Sequence, residues 1–368
     1  MSGSGFSVRM ITLHAGRVKW WERLEEVEDA AYALLEAVDT AAGEGYPRPD
    51  SVRLTLPPAP SLGVTADLAD ELGESAEQAG VLVNAGYYPS SMGDLESLVR
   101  STVVEGVYIS LILDKASWGQ ANRIARAANL VAEEDPVAAT RFGVNTLGTP
   151  VETPFFPLSA STGRSLVSVG FTYPSYLLSA YLEGGLPAVE DAIARAGSLG
   201  EGLAERVASL VGAEAWGVDL SIAPWMADSS LALVEAISGT RLPEPGVALG
   251  ISLANKAIAR ASERLSRTLG FNEVQLPVAE DAKLKARVSE GDTRARDLAR
   301  LAGACLAGLD MVVVPYDEQG VAGLILEVAS YALTKGRPLG VRVIPLEGVE
   351  AGDKVSLGRF GETPVIDI

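Results

Sequence analysis

A-C-L-A-G-L-D-M-V-V-V-P-Y-D-E, residues 304–318, reads as a helix end turning into a buried strand that finishes in a proline and two acids. Its apolar run is too short for a helix and stops in a polar loop, after which helical spacing resumes. That is how a strand of a helix-covered parallel sheet reads. Two earlier stretches repeat the pattern. V-D-L-S-I-A-P at 218–224 leads to Asp228, and V-Q-L-P-V at 274–278 runs into Glu280 and Asp281. Three acid-bearing loops are therefore expected along one edge of the sheet, where open sheets and barrels of this class place their ligands.

Working outward, the same unit recurs from the N-terminus. V-R-M-I-T-L-H (8–14) alternates like a strand and ends in His14. The spacing predicts a helix from about Val18 to Ala42, with Trp20, Leu24, Val27, Ala31, Leu34, Leu35 and Val38 on its buried face. Further strands are expected at 51–56, 80–86 and 106–113, with a shaped loop from Tyr87 to Gly93, a helix capped by Asp94 and another from Ser117 to Glu134. Residues 141–164 lack periodicity and carry Pro150, Pro154 and Pro157; a loop this long in a compact fold is usually functional. Beyond it come a strand at 165–172, helices at 176–196 and 202–211, the three acid-ended strands, and a last strand at 340–345. With a short strand near Phe142, about ten strands alternate with helices. No shift of composition marks a linker, so residues 1–368 are expected to form one α/β body.

Composition narrows the partners. Acids outnumber bases, 48 to 30, for a net charge of −18, and Lys and Arg form no dense block that could neutralise a phosphate backbone. Nucleic acid and anionic membrane are excluded on this reading. The longest apolar run, Val103 to Leu113, is far short of the roughly 20 residues that cross a bilayer. The opening Ser-Gly-Ser-Gly is no signal segment, so a cytoplasmic protein is expected. A lone cysteine, Cys305, excludes an intrachain disulfide and a cysteine zinc cage.

The run G-L-D-M-V-V-V-P-Y-D, followed by V-R-V-I-P-L-E-G, A-G-D-K-V and L-G-R-F-G-E-T-P-V-I, resembles the C-terminal third of the family called domain of unknown function 711. V-D-L-S-I-A-P with Asp228-Ser229, Q-L-P-V-A-E-D, and F-G-V-N with E-T-P-F-F resemble it too. The resemblance implies a fold like that of pyruvate formate-lyase: a ten-stranded α/β barrel of two antiparallel half-barrels. It implies no activity. Three features depart from these patterns. Arg342-Val343 is followed by Ile344-Pro345 where glycyl radical enzymes carry a glycine and an aromatic, so no glycyl radical is expected. Tyr316 stands where the family's P-G-D-T loop has glycine, and no histidine lies near Phe156.

The candidate catalytic residues are Glu280, Asp281, Asp228, Asp317 and the only histidine, His14. Gathered in one mouth, the acids could hold a divalent cation or split acid and base roles; each alone could simply cap the helix that follows it. Because successive residues leave a strand in opposite directions, only one of Glu280 and Asp281 is expected to face inward. Asn145, Glu152 and Ser229, from the motifs that carry the resemblance, are candidate substrate-binding residues. Asp219 and Asp310 precede their apolar runs and are expected at the opposite end. Cys305, among alanines in a helical pattern, reads as a small buried hydrophobe. The expectation is an enzyme acting on a small polar metabolite at an acidic mouth, working as a homo-oligomer; the alternative is a non-catalytic ligand-binding or scaffold oligomer.

Overall fold

The computed structural model describes residues 5–91 and 95–368, so the expected cap at Asp94 and most of the Ser-Gly-Ser-Gly opening lie outside the described residues. One sheet holds ten strands: β1 (Ser7–His14), β2 (Ser51–Thr55), β3 (Leu82–Pro89), β4 (Val107–Ile112), β5 (Phe142–Asn145), β6 (Leu166–Thr172), β7 (Ala215–Asp219), β8 (Gln275–Pro277), β9 (Ala307–Pro315) and β10 (Gly340–Leu346). Their order is β7-β6-β1-β2-β3-β4-β5-β10-β9-β8. Strands β1 to β5 run parallel to one another, as do β6 with β7 and β8 with β9 and β10. The two sets meet antiparallel at β1–β6 and at β5–β10. Within β7, Val218 accepts a main-chain bond from Leu269 at 2.9 Å, and past its end Ile222 accepts one from Gln275 at 2.9 Å. A small hairpin, β11 (Lys354–Ser356) and β12 (Glu362–Pro364), follows the sheet.

The helices among the described residues are α1 (Glu25–Gly43), α2 (Leu62–Asp67), α3 (Ala69–Ala79), α4 (Leu95–Thr102), α5 (Trp118–Glu134), α6 (Pro174–Val211), α7 (Ser230–Ser238), α8 (Val247–Ser262), α9 (Ala282–Ser289), α10 (Ala295–Leu301) and α11 (Glu318–Lys335). None is long and apolar enough to cross a membrane. Local chemistry sets their ends. Ser117 caps α5 by accepting from the Gln120 N–H, and Ala121, Ile124, Ala125, Ala128 and Val131 make its buried stripe.

Several boundaries differ from the sequence reading. Helix α1 begins at Glu25 instead of near Val18, because residues 19–23 form turns around Trp20, whose buried indole donates to the Pro57 carbonyl at 2.8 Å. Helix α6 has no gap at 197–201. Its break falls at Gly185 (φ 66°), just ahead of Pro187, and Gly197 is a packing residue: a Cβ there would lie 2.4 Å from Leu265 Cδ1. Strand β3 continues to Pro89, taking in the start of the expected Tyr87–Gly93 loop, of which residues 92–93 lie outside the described residues. Strand β7 ends at Asp219, earlier than expected, because that carboxylate turns the chain by accepting from Ser221 N–H and Oγ–H.

Period-two alternation divides the sheet into two faces. Ile11, Leu13, Val52, Leu54 and Val83 join one contiguous core with helix residues such as Leu34 and Val38. Burying each such side chain contributes roughly 1.5–3 kcal/mol. Thr12, His14, Arg53, Thr55 and Asn84 point the other way and hold the long proline-bearing loop. Thr12 and Arg53 donate to the Pro154 carbonyl, Asn84 to that of Pro157 at 2.6 Å, and the Thr55 and Ser159 hydroxyls meet at 2.6 Å. The loop is thus folded onto the polar face of the sheet. At Gly340 it comes so close that a Cβ would lie 2.3 Å from Leu158 Cδ1.

Candidate functional site

A pocket opens where that loop, the starts of β1 and β2, and strands β8 to β10 converge. Its lining includes Arg9, Arg53, Tyr108, Phe156, Gln275, Glu280, Asp310, Arg342, Arg359 and Phe360. Strand irregularities aim several of these side chains. In β1 an extra residue relative to β6, between Val8 and Met10, turns both Arg9 and Met10 to the pocket. In β9 the three-residue step from Leu309 to Val312 faces a two-residue step in β10, and the step from Ala307 to Asp310 faces a two-residue step in β8. The extra residue lies beside Met311, a buried side chain at φ 54°, and it swings Asp310 into the pocket. Left-handed backbone at a residue other than glycine costs about 1–3 kcal/mol and collects at functional sites. Met226 (φ 52°) and Asn272 (φ 52°) share it, next to pocket elements at Trp225 and Phe271.

Two carboxylates and two guanidiniums interlock. Glu280 accepts from Arg9 Nη2 at 2.5 Å and from Arg342 Nη2 at 3.2 Å. Arg342 grips Asp310 with a fork, Nε to Oδ1 at 2.5 Å and Nη2 to Oδ2 at 3.0 Å, and donates to the Thr140 carbonyl. Burial pushes the Glu280 carboxyl up, but Arg9 and Arg342 outweigh it and take it down to about 2. Burial lifts Asp310 above its ordinary value, Arg342 opposes the lift, and the Glu280 charge adds to it. Two cations remain outside this pairing. Arg53, 8% exposed, donates to Ser51 Oγ and the Pro154 carbonyl and stacks on Phe156, its carbon 5.1 Å from the ring centre. Burial and the neighbouring Arg9 charge pull it down to about 9. Arg359, exposed at the mouth, rests against Trp225 and Phe360 and donates to the Tyr108 hydroxyl at 3.3 Å. Among the described residues neither has a carboxylate within ion-pair distance.

The expected acids do not come together. Glu280 alone of the four lines this pocket. Asp281, its neighbour, faces away and caps α9 through Lys283 and Leu284 N–H groups, also accepting from Leu231 N–H at 3.1 Å; burial raises its carboxyl. Asp317 caps α11 through Gln319 N–H, and Asp228 takes the Ser175 N–H at 2.5 Å within the turn that presents Trp225. Ser229 caps α7. Asn145 closes the turn after β5, to the Leu147 N–H and the Thr149 carbonyl. Glu152 is held by Arg164 and Thr162; burial pushes its carboxyl up, yet those two partners bring it below its usual value. His14 is fully buried between the Ala160 carbonyl and Ser168 Oγ, both at 2.8 Å, and burial lowers it to about 4. Among the described residues no group of three or more His, Cys, Asp or Glu is placed to hold a metal ion.

Two placements correct the sequence reading. Asp310 lies near the start of β9, at the end opposite Asp317 as expected, but the pocket opens at that end, beside the starts of β1, β2 and β10, and takes Asp310 into its lining. Cys305 sits in the turn between α10 and β9, not in the helix, though it is buried as expected. Asp219, by contrast, is satisfied away from the pocket by Thr153, Ser221, Phe271 and Asn272. The arginines went unread, although the signal was present: β1, β2 and β10 each carry Val-Arg near the start of an otherwise apolar strand, at Arg9, Arg53 and Arg342. Charged side chains are almost never buried without a partner.

Fold and pocket together define an α/β protein with a mostly parallel ten-stranded sheet and an arginine-rich pocket on its loop-covered face. The family described as Uncharacterised ACR (DUF711) matches residues 95–358, more than half of the chain, and the chain belongs to that family. A UPF0210 protein of Pyrobaculum arsenaticum is 33% identical over 261 residues, 66% of this chain and 58% of that protein. One of Methanopyrus kandleri is 28% identical over 389 residues, covering 94% of this chain and 85% of its own length. A third, of Lacticaseibacillus casei, is 32% identical over 160 residues, 41% of this chain and 34% of the relative. The chain thus spans less than two thirds of the length of the Pyrobaculum relative.

Proposed function

We propose that this pocket binds a small anionic metabolite and that the protein is an enzyme acting on it by proton transfer, without a glycyl radical. The observation that carries the reading is Arg53, a buried cation stacked on Phe156 that the described residues leave without a carboxylate. An unpaired buried charge is costly, and an anionic ligand would supply its counter-charge. The geometry favours an anion over the divalent cation expected from the sequence, since the pocket lining brings four arginines to two acids. The enzyme reading rests on those two acids. Carboxyls whose environments push them apart divide acid and base roles. Glu280, held ionised, would align Arg9 and Arg342, and Asp310, ionised on Arg342 but made more basic by burial, would be the base that takes a proton from the ligand.

We also infer that the ten strands close into a barrel of two five-stranded halves, of the pyruvate formate-lyase kind. The antiparallel junctions β1–β6 and β5–β10 support this, as do the bonds from Gln275 to Ile222 and from Leu269 to Val218 between the two ends of the sheet. Arg53 would then face the barrel interior.

A metabolite thermal-shift screen tests the binding claim, because a ligand at 100 times its Kd adds about 2.7 kcal/mol to stability. Carboxylates or phosphates should raise Tm where neutral and cationic metabolites do not, and Arg53→Met should abolish the shift. Shifts from cationic metabolites alone, or anion shifts that survive Arg53→Met, would contradict it.

A further inference from the structure

We propose that the ligand is a small dianion, a phosphate monoester or a dicarboxylate, with Arg53 and Arg359 as its two counter-charges and the Gln275 amide reading one of its oxygens. This rests on the anion reading above and extends it to the ligand's charge and to the residue that selects it.

Three observations carry it. The first is a count of charge. Glu280 and Asp310 are bonded to Arg9 and Arg342, so the lining cations in surplus are Arg53 and Arg359. A singly charged ligand would leave one of them uncompensated. The second is Gln275, which is 7% exposed and lines the same pocket, and whose Nε2 has no acceptor among the described residues. A buried amide donor without a partner is rare in folded proteins and points to a missing acceptor. The adjoining main chain of Gln275 is fixed by its bond to Ile222, so the side chain is presented from a rigid strand. The third is the route in. A second, outer cavity lined by Ser7, Asp50, Trp225 and Thr172 shares Arg9, Arg53 and Arg359 with the inner pocket. Asp50 is already engaged by the Ser7 hydroxyl at 2.7 Å. An anion entering from solvent would meet Arg359, held in place by Trp225 and Tyr108, before it reaches Arg53.

The test is calorimetric titration at low salt and pH 7.5 with matched pairs, methyl phosphate against dimethyl phosphate and succinate against its monoamide. The dianion of at least one pair should bind about 10-fold or more tighter than its monoanion, the size of effect one charge-assisted contact gives; the series that binds identifies the source. Arg359→Gln, at an exposed position, should bring the two members of the pair to within about two-fold of each other. Gln275→Leu should weaken the dianion by about 10-fold and leave Tm unchanged or raised, because it removes an unsatisfied buried donor. Equal affinity for both members of each pair, or a Gln275→Leu variant that binds as wild type, would overturn the inference while leaving the anion reading intact. Failure of every anion to bind would overturn both.

Discussion

Glu280→Ala should be among the most destabilising single changes in the chain, costing about 3–5 kcal/mol at neutral pH in chemical denaturation, because it leaves Arg9 and Arg342 facing each other without their shared counter-ion. The adjacent Asp281→Ala should cost only about 0.5–2 kcal/mol, the usual loss for a helix cap. Glu280→Gln isolates the charge. The folded carboxyl titrates near 2 and the unfolded one at 4.5, so the unfolded chain binds more protons between these values. The Glu280 contribution is therefore fully present above pH 4.5 and falls away as pH drops through 2; it amounts to roughly 3 kcal/mol. Stability curves of wild type and Glu280→Gln should converge across that window. Parallel curves would mean that Glu280 carries no stabilised charge.

The second large effect belongs to His14 and is also a matter of pH. In the folded chain this imidazole is kept neutral by burial, titrating at about 4 against an ordinary 6.5. Unfolding thus takes up a proton between those values, and stability that is complete above 6.5 is lost as pH falls through 4, by roughly 3 kcal/mol from this one group. His14→Gln keeps hydrogen-bonding capacity and removes the titration. Urea midpoints taken at pH 7, 5.5 and 4 should fall more steeply for wild type than for the variant. Protonation leaves the Nδ1–H bond to the Ala160 carbonyl in place and turns Nε2 from acceptor to donor towards the Ser168 hydroxyl, so the buried charge should loosen the β1–β6 pairing at low pH, read as faster amide exchange in β6. Equal slopes for the two proteins would place the acid-sensitive groups elsewhere.

The strands were legible because each buries one face on helices, and that requirement writes alternation or an apolar run directly into the chain. Helical spacing puts the break in α6 at 197–201, whereas it falls at Gly185. Gly197 and Gly200 pack closely against Leu265 and Phe171, whereas Gly185 bends the backbone, and composition does not separate these uses of glycine. Glu280 and Asp281 do lie on opposite sides, although what separates them is the one-turn 3-10 helix Val278–Glu280 beyond β8 and not strand alternation. Asp310 reads as structural because it precedes its strand's apolar run, whereas the pocket opens at that end of the strands, which only long-range pairing decides. Arg53 and Gln275 could not be joined from sequence, since one lies on β2 and the other on β8, at positions fixed only by long-range pairing.

The central claim is that a solvent anion enters the pocket and meets Arg53. Crystals soaked in selenate, a small dianion with a strong anomalous signal, test it without any knowledge of the natural ligand. An anomalous peak within hydrogen-bond distance of the Arg53 guanidinium, absent from crystals of Arg53→Met, is the predicted result. Selenate bound only at surface arginines, with the Arg53 pocket empty at saturating concentration, would contradict the account.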